Sequence, residues 1–157
     1  EVESFGEFAK RNNAVASTEV KSFEHLICTE QLSRRLGFKV GEELIRVVRV
    51  RSLNGNARQV DHGYFLASIA KGLTPEIAAD SIYGYLEHKR GVKVMASRRT
   101  VSVELANDED CSYLDLGKYN CVAVMESQSY TSDGILFEVT HARTHPEIFH
   151  YRVNSKR

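Results

Sequence analysis

Residues 43–51, Glu-Leu-Ile-Arg-Val-Val-Arg-Val-Arg, constrain the fold of this chain more than any other stretch. β-Branched residues dominate the stretch and neither Gly nor Pro interrupts it, so it predicts a β-strand. Successive side chains of a strand point to opposite faces of a sheet, which places on one face Ile45, Val47, Arg49 and Arg51. Two guanidinium groups therefore continue an otherwise apolar face.

An arginine rarely enters a protein core without an anionic partner, because an unpaired buried charge is strongly destabilising. The planar, forked guanidinium suits bidentate binding of a phosphate or a carboxylate. Two interpretations of Arg49 and Arg51 follow. Either they form salt bridges with Asp61 or Glu138, or they bind an anionic ligand. The choice decides whether the chain is a small-molecule sensor.

Composition and charge exclude several classes of protein. A length of 157 residues predicts a single domain, residues 1–157, with a sizeable core. The 21 basic and 21 acidic residues balance, so the chain lacks the basic surface of a free-standing nucleic-acid binder. No apolar run approaches the roughly 20 residues of a membrane helix, and no signal peptide opens the chain, which predicts a cytoplasmic protein.

Cysteine usage and the first residue add two expectations. The three cysteines, Cys28, Cys111 and Cys121, are widely spaced and lack metal-binding spacing, which predicts reduced thiols. The first residue is Glu rather than Met, so we expect the chain to begin inside a longer protein.

Cap and turn signals divide the chain into helices and strands. Ser4, Thr29, Ser81 and Asn107 are placed to cap helices, and Asn54-Gly55-Asn56 predicts a hairpin after residues 43–51. The other predicted strands are 17–27, 57–66, 92–105, 121–130, 135–143 and 148–153. The alternation of apolar and polar residues slips within 17–27. The order of elements predicts an α+β domain built on a largely antiparallel sheet.

Five short motifs occur together in an order that resembles a known family. They are Ser4-Phe5 at a helix start, Arg49-x-Arg51, Asp61-x-x-Tyr64, Ser81-Ile82-Tyr83-x-Tyr85-Leu86-Glu87 and Asp133-Gly134-x-x-Phe137-Glu138. From Ser4 to Tyr151 the chain resembles the UTRA effector-binding domain of GntR-type bacterial repressors of the HutC subfamily. The resemblance implies a chorismate-lyase-like fold with a six-stranded, mainly antiparallel sheet and flanking helices. It also implies an N-terminal winged helix-turn-helix DNA-binding domain that this chain does not contain.

Other segments are similar to the members of that family that control trehalose operons. These segments are Asp61-His62-Gly63-Tyr64-Phe65, Leu114-Asp115-Leu116 and Thr140-His141-Ala142-Arg143. The similarity implies that the effector is a sugar phosphate, foremost trehalose 6-phosphate. It further implies a homodimer that contacts DNA only through the absent domain.

The resemblance assigns the effector's phosphate to five residues: Ser4, Phe5, Arg49, Arg51 and Ser81. A helix start suits a phosphate because its N–H groups are free and its dipole end is positive. The alternative interpretation makes Ser4 and Ser81 ordinary helix N-caps.

The resemblance assigns the sugar to four residues: Asp61, Tyr64, Glu138 and Thr144. Carboxylate oxygens accept hydrogen bonds from vicinal hydroxyls, although the alternative for any acid is a solvated surface position. Thr144 stands where family members that sense amino-sugar phosphates carry a tyrosine, which disfavours an amino sugar. Strand alternation predicts that Glu138 and Arg143 lie on opposite faces, with His141 beside Arg143.

Three function classes remain open from the sequence. The leading one is the ligand-sensing domain of a transcriptional repressor. The second is a small lyase or hydrolase on the same fold, acting on a phosphorylated or carboxylated small molecule, but the sequence shows no catalytic triad or metal set. We therefore predict no catalytic residues, no metal and no cofactor. The third is a purely structural dimerisation module, which leaves Arg49 and Arg51 without a task.

Overall fold

Six strands and five short helices follow one another along residues 5–157, the part of the chain that the computed structural model describes. The helices are α1 (Phe5–Arg11), α2 (Glu30–Leu36), α3 (Pro75–Asp80), α4 (Ile82–Gly84) and α5 (Asp108–Tyr113). The strands are β1 (Ala16–Ile27), β2 (Glu43–Leu53), β3 (Asn56–Leu66), β4 (Val94–Leu105), β5 (Cys121–Thr131) and β6 (Leu136–Thr144). A π-helical segment, Tyr85–Lys89, continues α4, and a 3-10 turn, Pro146–Ile148, follows β6.

The strands form one sheet in the order β1-β2-β3-β6-β5-β4, and every neighbouring pair is antiparallel. The segment that carries α3 and α4 leads the chain from β3 to β4 at the far edge of the sheet. The predicted α+β fold with a six-stranded antiparallel sheet is confirmed.

Local sequence signals account for several element ends. Thr29 caps α2, since its hydroxyl accepts a hydrogen bond from the Leu32 N–H at 3.2 Å. Gly37 ends the helix in the left-handed region, with φ of 96°. At the β2–β3 hairpin, Asn54 and Gly55 have φ of 49° and 80°, the conformation that a tight two-residue turn requires.

The predicted strand 148–153 is wrong, because a 3-10 turn, Pro146–Ile148, and chain without regular secondary structure occupy this region. Pro146 starts the turn at a position that needs no backbone N–H. The His145 ring accepts a hydrogen bond from the Glu147 N–H at 3.1 Å and caps it. The slip in alternation within 17–27 is a register shift against β2 between Val20 and Ser22.

The sheet has two faces, each covered by different helices. The Arg49 face carries Val47, Arg49, Asp61 and Glu138, and α3 and α4 pack on it. The Arg143 face carries Arg46, His62, Tyr64 and Arg143, and α2 and α5 pack on it. Direct cross-strand partners share a face, so the pairing register fixes both sets of residues.

Two apolar clusters hold the helices against the sheet. The larger contains Leu36 and Phe38 near α2, Phe137 in β6, and Ala78 and Ile82 from α3 and α4. The smaller lies under α5 and joins the following residues: Val48, Val60, Leu114, Leu116, Val122 and Val124. Burial of these side chains fixes the helix positions and thereby the polar groups between them.

Candidate functional site

The two arginines of β2 have different partners on the Arg49 face. Arg49 is buried, forms an ion pair with Asp61 directly opposite on β3, and donates to the Ala78 carbonyl of α3 at 3.3 Å. Arg51, two residues further along β2, donates through Nε to the Thr18 hydroxyl at 3.3 Å. The interpretation of a salt bridge within the protein therefore holds for Arg49.

Arg51 is charged in an environment that opposes its charge. Burial and the neighbouring charge of Arg49 lower the pKa of Arg51 to about 10, and Asp61 offsets this only in part. Phe5 of α1 stacks against it, with the guanidinium carbon 4.7 Å from the ring centroid. Among residues 5–157 no carboxylate forms an ion pair with Arg51. Within the described residues, the guanidinium therefore has the character of a group that suits an anionic ligand.

Glu138 is the most deeply buried acid of the Arg49 face, with 3% of its surface exposed. Within the described part of the chain its Oε2 has no hydrogen-bond partner. Burial, and secondarily the charge of Asp61, raise the pKa of Glu138 to about 7, although hydrogen bonding from Tyr83 and the charges of Arg49 and Arg99 oppose the rise. An unsatisfied buried oxygen is costly, so the geometry favours a ligand donor at this position.

Sequence reasoning missed Tyr83, Ser97 and Ser129 as members of this cluster. The Tyr83 hydroxyl interacts with both Glu138 and Ser129, and burial together with the charge of Glu138 raises the pKa of Tyr83 to about 12. The Ser129 and Ser97 hydroxyls are 2.8 Å apart. Ser129 is the direct partner of Glu138 and Ser97 that of Ser129, so one row across three strands holds them together.

The structure describes one of the two helix-start serines that were predicted to bind the phosphate. Ser81 is exposed and caps α4, because its hydroxyl accepts from the Gly84 N–H at 3.0 Å. That contact fits the interpretation of Ser81 as an ordinary N-cap. Ser4 lies outside the described residues, and its role stays a prediction.

Two of the four predicted sugar-binding residues, Tyr64 and Thr144, lie away from Glu138. Tyr64 lies on the Arg143 face, where its hydroxyl accepts from Arg35 at 2.9 Å. The spacing from Asp61 to Tyr64 is an odd number of residues, so a regular strand points them to opposite faces. Thr144 shares the Arg49 face but lies six residues along β6, where its hydroxyl is 3.4 Å from Gln59 Oε1.

Arg143 and His141 lie on the Arg143 face, as strand alternation predicts. Arg143 donates to the carboxylate of Asp110 in α5 at 2.8 to 3.1 Å, and this contact raises the pKa of the guanidinium. The His141 ring lies 3.0 Å from Glu126 Oε2. The first contact ties α5 to the sheet and the second links β6 to β5. Both residues lie on the face opposite Glu138.

The polar cluster of the Arg49 face is closed in this structure. Arg49, Asp61 and Glu138 are all less than a tenth exposed. Two open cavities lie elsewhere: one of about 420 Å³ beside α1 and one of about 500 Å³ on the Arg143 face. The chemistry nevertheless favours the closed cluster, because only there does a buried oxygen lack a partner within residues 5–157.

Among residues 5–157 no three His, Cys, Asp or Glu side chains are grouped as a metal site requires. No helix in the same range is long and apolar enough to cross a membrane.

Comparison with known proteins places the chain among transcriptional regulators. The UTRA domain family model matches residues 11–150. The HTH-type transcriptional regulator TreR of Bacillus subtilis (strain 168) is 28% identical over 148 residues, which are 94% of this chain and 62% of that relative. This chain thus spans less than two thirds of the relative's length.

Solved structures agree with this match. The effector binding domain of the B. subtilis trehalose repressor (TreR) has a TM-score of 0.81 at 27% identity, over 90% of this chain and 98% of that one. PhnF from Mycobacterium smegmatis has a TM-score of 0.86 at 17% identity, over 99% and 69% of the two chains, and shows a shared fold. The similar proteins are regulators, which supports a regulator over a lyase or hydrolase.

Proposed function

This chain belongs to the UTRA domain family of GntR-type regulators, and we propose that it senses a sugar phosphate for a transcriptional repressor. Arg51 is the observation that carries this proposal. It is a partly buried guanidinium beside a second arginine, and within residues 5–157 its hydrogen bond is to the neutral Thr18 hydroxyl. A phosphate at Arg51 would relieve its repulsion from Arg49 and supply charge-assisted hydrogen bonds.

The phosphate subsite that we propose combines Arg49 and Arg51 with the aromatic ring of Phe5. The proposed sugar subsite combines Asp61 with Glu138, whose Oε2 can accept from a sugar hydroxyl. Six residues of strand separate the row of Arg51 from the row of Glu138, or about 20 Å of backbone. Side chains shorten this span, but a ligand that contacts both ends is longer than one hexose ring.

Trehalose 6-phosphate meets these requirements, since it joins a phosphate to two sugar rings. A similar domain of known structure is the effector binding domain of a trehalose repressor, which supports an effector related to trehalose. The effector would bind more tightly to the arrangement of the full-length protein that cannot hold DNA, because only such a difference shifts the equilibrium.

Calorimetric titration of the domain tests the effector. We expect trehalose 6-phosphate to bind with a Kd on the order of micromolar, equivalent to about −8 kcal/mol. Trehalose lacks the phosphate and glucose 6-phosphate lacks the second ring, so both should bind much more weakly. Absence of heat with all three compounds would exclude trehalose 6-phosphate and reopen the choice of effector.

We further propose that the domain forms a homodimer through β4. This strand is an edge of the sheet, all twelve of its residues are exposed, and Val101, Val103 and Leu105 share one face. A long exposed edge strand is a template for pairing with another chain, and an antiparallel pairing of β4 with its own copy gives a two-fold dimer.

Sedimentation velocity tests the proposed dimer. We expect wild type to sediment as a dimer and Val103→Lys as a monomer, because the substitution places a charge within the paired apolar strip. Val40→Lys is the matched control, since Val40 is exposed to a similar extent outside the sheet edge, at 62% against 73% for Val103. A dimer that survives Val103→Lys unchanged would exclude this interface.

A further inference from the structure

Glu138 is surrounded by polar groups from β3 and β5, which flank its strand, from β2 and β4 beyond them, and from the helix above it. Arg49 faces it from β2, Asp61 from β3 and Arg99 from β4, while Tyr83 approaches from α4. Ser129 of β5 is its cross-strand partner. The carboxyl group thus lies among three charged side chains and two hydroxyls, and its Oε2 still has no partner within residues 5–157.

A count of charges shows what an added phosphate does to this group. Arg49 and Arg51 supply two positive charges within this face, the exposed Arg99 of β4 supplies a third at its edge, and Asp61 supplies one negative charge. A phosphate ester supplies close to two more negative charges above about pH 7, because its second pKa is near 6. These charges balance only if Glu138 is neutral. An ionised Glu138 would add an uncompensated negative charge to a buried site.

We propose that the site binds a phosphate ester together with one proton, and that Glu138 carries this proton in the complex. The inference rests on the proposed function, since it requires a phosphate near Arg51. A neutral carboxyl group both donates and accepts hydrogen bonds, so Glu138 keeps its contact with Tyr83 and can still bind a sugar hydroxyl through Oε2.

The pKa of Glu138 in the ligand-free domain determines where the effect appears. Burial raises this pKa to about 7, so the group is protonated below that pH and ionised above it. Below pH 7 Glu138 is already protonated in the ligand-free domain, so it takes up no proton when the phosphate ester binds. Above pH 7 the proton must be taken up on binding, so the affinity for a phosphate ester falls as the pH rises.

Calorimetry in buffers of different ionisation enthalpy measures this proton. With trehalose 6-phosphate as the probe, we expect wild type to take up most of one proton at about pH 8, and its affinity to fall roughly tenfold between about pH 7 and about pH 8.5. Glu138→Gln keeps the shape of a neutral carboxyl group and cannot ionise, so its affinity should be constant over that range. Glu126→Gln, on the opposite face beside His141, is the matched control and should behave as wild type.

Several outcomes would overturn the inference. They are release of a proton by wild type, an affinity constant above pH 7, or an equal pH dependence in wild type and Glu138→Gln. Failure of every phosphate ester to bind would overturn the proposed function and this coupling together.

Urea unfolding of the ligand-free proteins separates these failures. The folded-state pKa of Glu138 lies above the ordinary value of 4.5, so its contribution to stability is present below about pH 4.5 and is lost as the pH rises through about 7. We expect Glu138→Gln to unfold at a higher urea concentration than wild type at about pH 8, with the difference closing toward pH 4.5. Equal midpoints at both values would show that Glu138 holds no proton at neutral pH and would overturn the inference whatever the ligand.

Discussion

Replacing Arg51 with Met is expected to weaken the binding of trehalose 6-phosphate by roughly 30- to 150-fold without lowering the stability of the domain. A hydrogen bond to a charged group contributes about 2 to 3 kcal/mol, which corresponds to that loss. Met keeps an unbranched apolar side chain at this position and removes only the guanidinium, which lies over the Phe5 ring. In the ligand-free protein the guanidinium is disfavoured by burial and by Arg49, so its removal also removes a repulsion.

The combination of weaker binding and unchanged or greater stability distinguishes a ligand-binding arginine from a structural one. Calorimetric titration and urea unfolding of the same preparations measure both quantities. Arg46→Met is the matched control, because Arg46 lies on the same strand, points to the opposite face and pairs with the half-exposed Glu24. Binding by Arg51→Met within a factor of about three of wild type would contradict the proposed phosphate subsite, as would a loss of stability above about 2 kcal/mol.

Arg49→Met would not give such a clear result. Arg49 pairs with Asp61 in the interior, and removal of one partner leaves the other charge buried without compensation. A loss of binding in that variant could therefore follow from a damaged fold. The contrast between two arginines of one strand makes Arg51 the more informative position.

Strand alternation and cap chemistry were sufficient to predict much of this arrangement. The residues of 43–51 alternate so regularly that Arg49 and Arg51 had to share a face, and the structure places both there. The turn at Asn54-Gly55 starts the hairpin, and a register shift between Arg51 and Ser52 then brings Asp61, rather than Val60, opposite Arg49. Short-range rules predict the hairpin because a tight turn pairs the two strands that it joins, but they do not predict the register shift that moves Asp61 opposite Arg49.

The remainder of the site depends on long-range pairing that no local pattern specifies. Ser97 and Ser129 meet Glu138 only because β4 and β5 lie beyond β6 in the sheet. Tyr83 joins them because α4 packs on the Arg49 face. By contrast, the position of Tyr64 could have been corrected from the sequence, since its odd spacing from Asp61 already places it on the other face.

The largest loss of stability is expected at Asp110, a fully buried acid at the start of α5. Its carboxylate accepts from Nε and Nη2 of Arg143 at 2.8 to 3.1 Å, and it also accepts from the Asn107 N–H at 3.0 Å. Asp110→Ala removes the acid and leaves the Arg143 guanidinium, only 12% exposed, with a longer contact to Glu104 at 3.3 Å. We expect a loss of about 3 to 5 kcal/mol, because breaking one side of a buried ion pair leaves the other charge uncompensated.

Chemical unfolding of three variants separates the ion pair from the helix start. Asp108→Ala is the matched control, because Asp108 is exposed in the first turn of the same helix and its loss removes only about 0.3 to 1 kcal/mol of interaction with the helix dipole. Asp110→Ala combined with Arg143→Met should recover part of the stability, since the double variant buries no unpaired charge. If Asp110→Ala cost no more than Asp108→Ala, the pair would contribute little. The position of α5 would then depend on the apolar contacts of Leu114 and Leu116 with Val60.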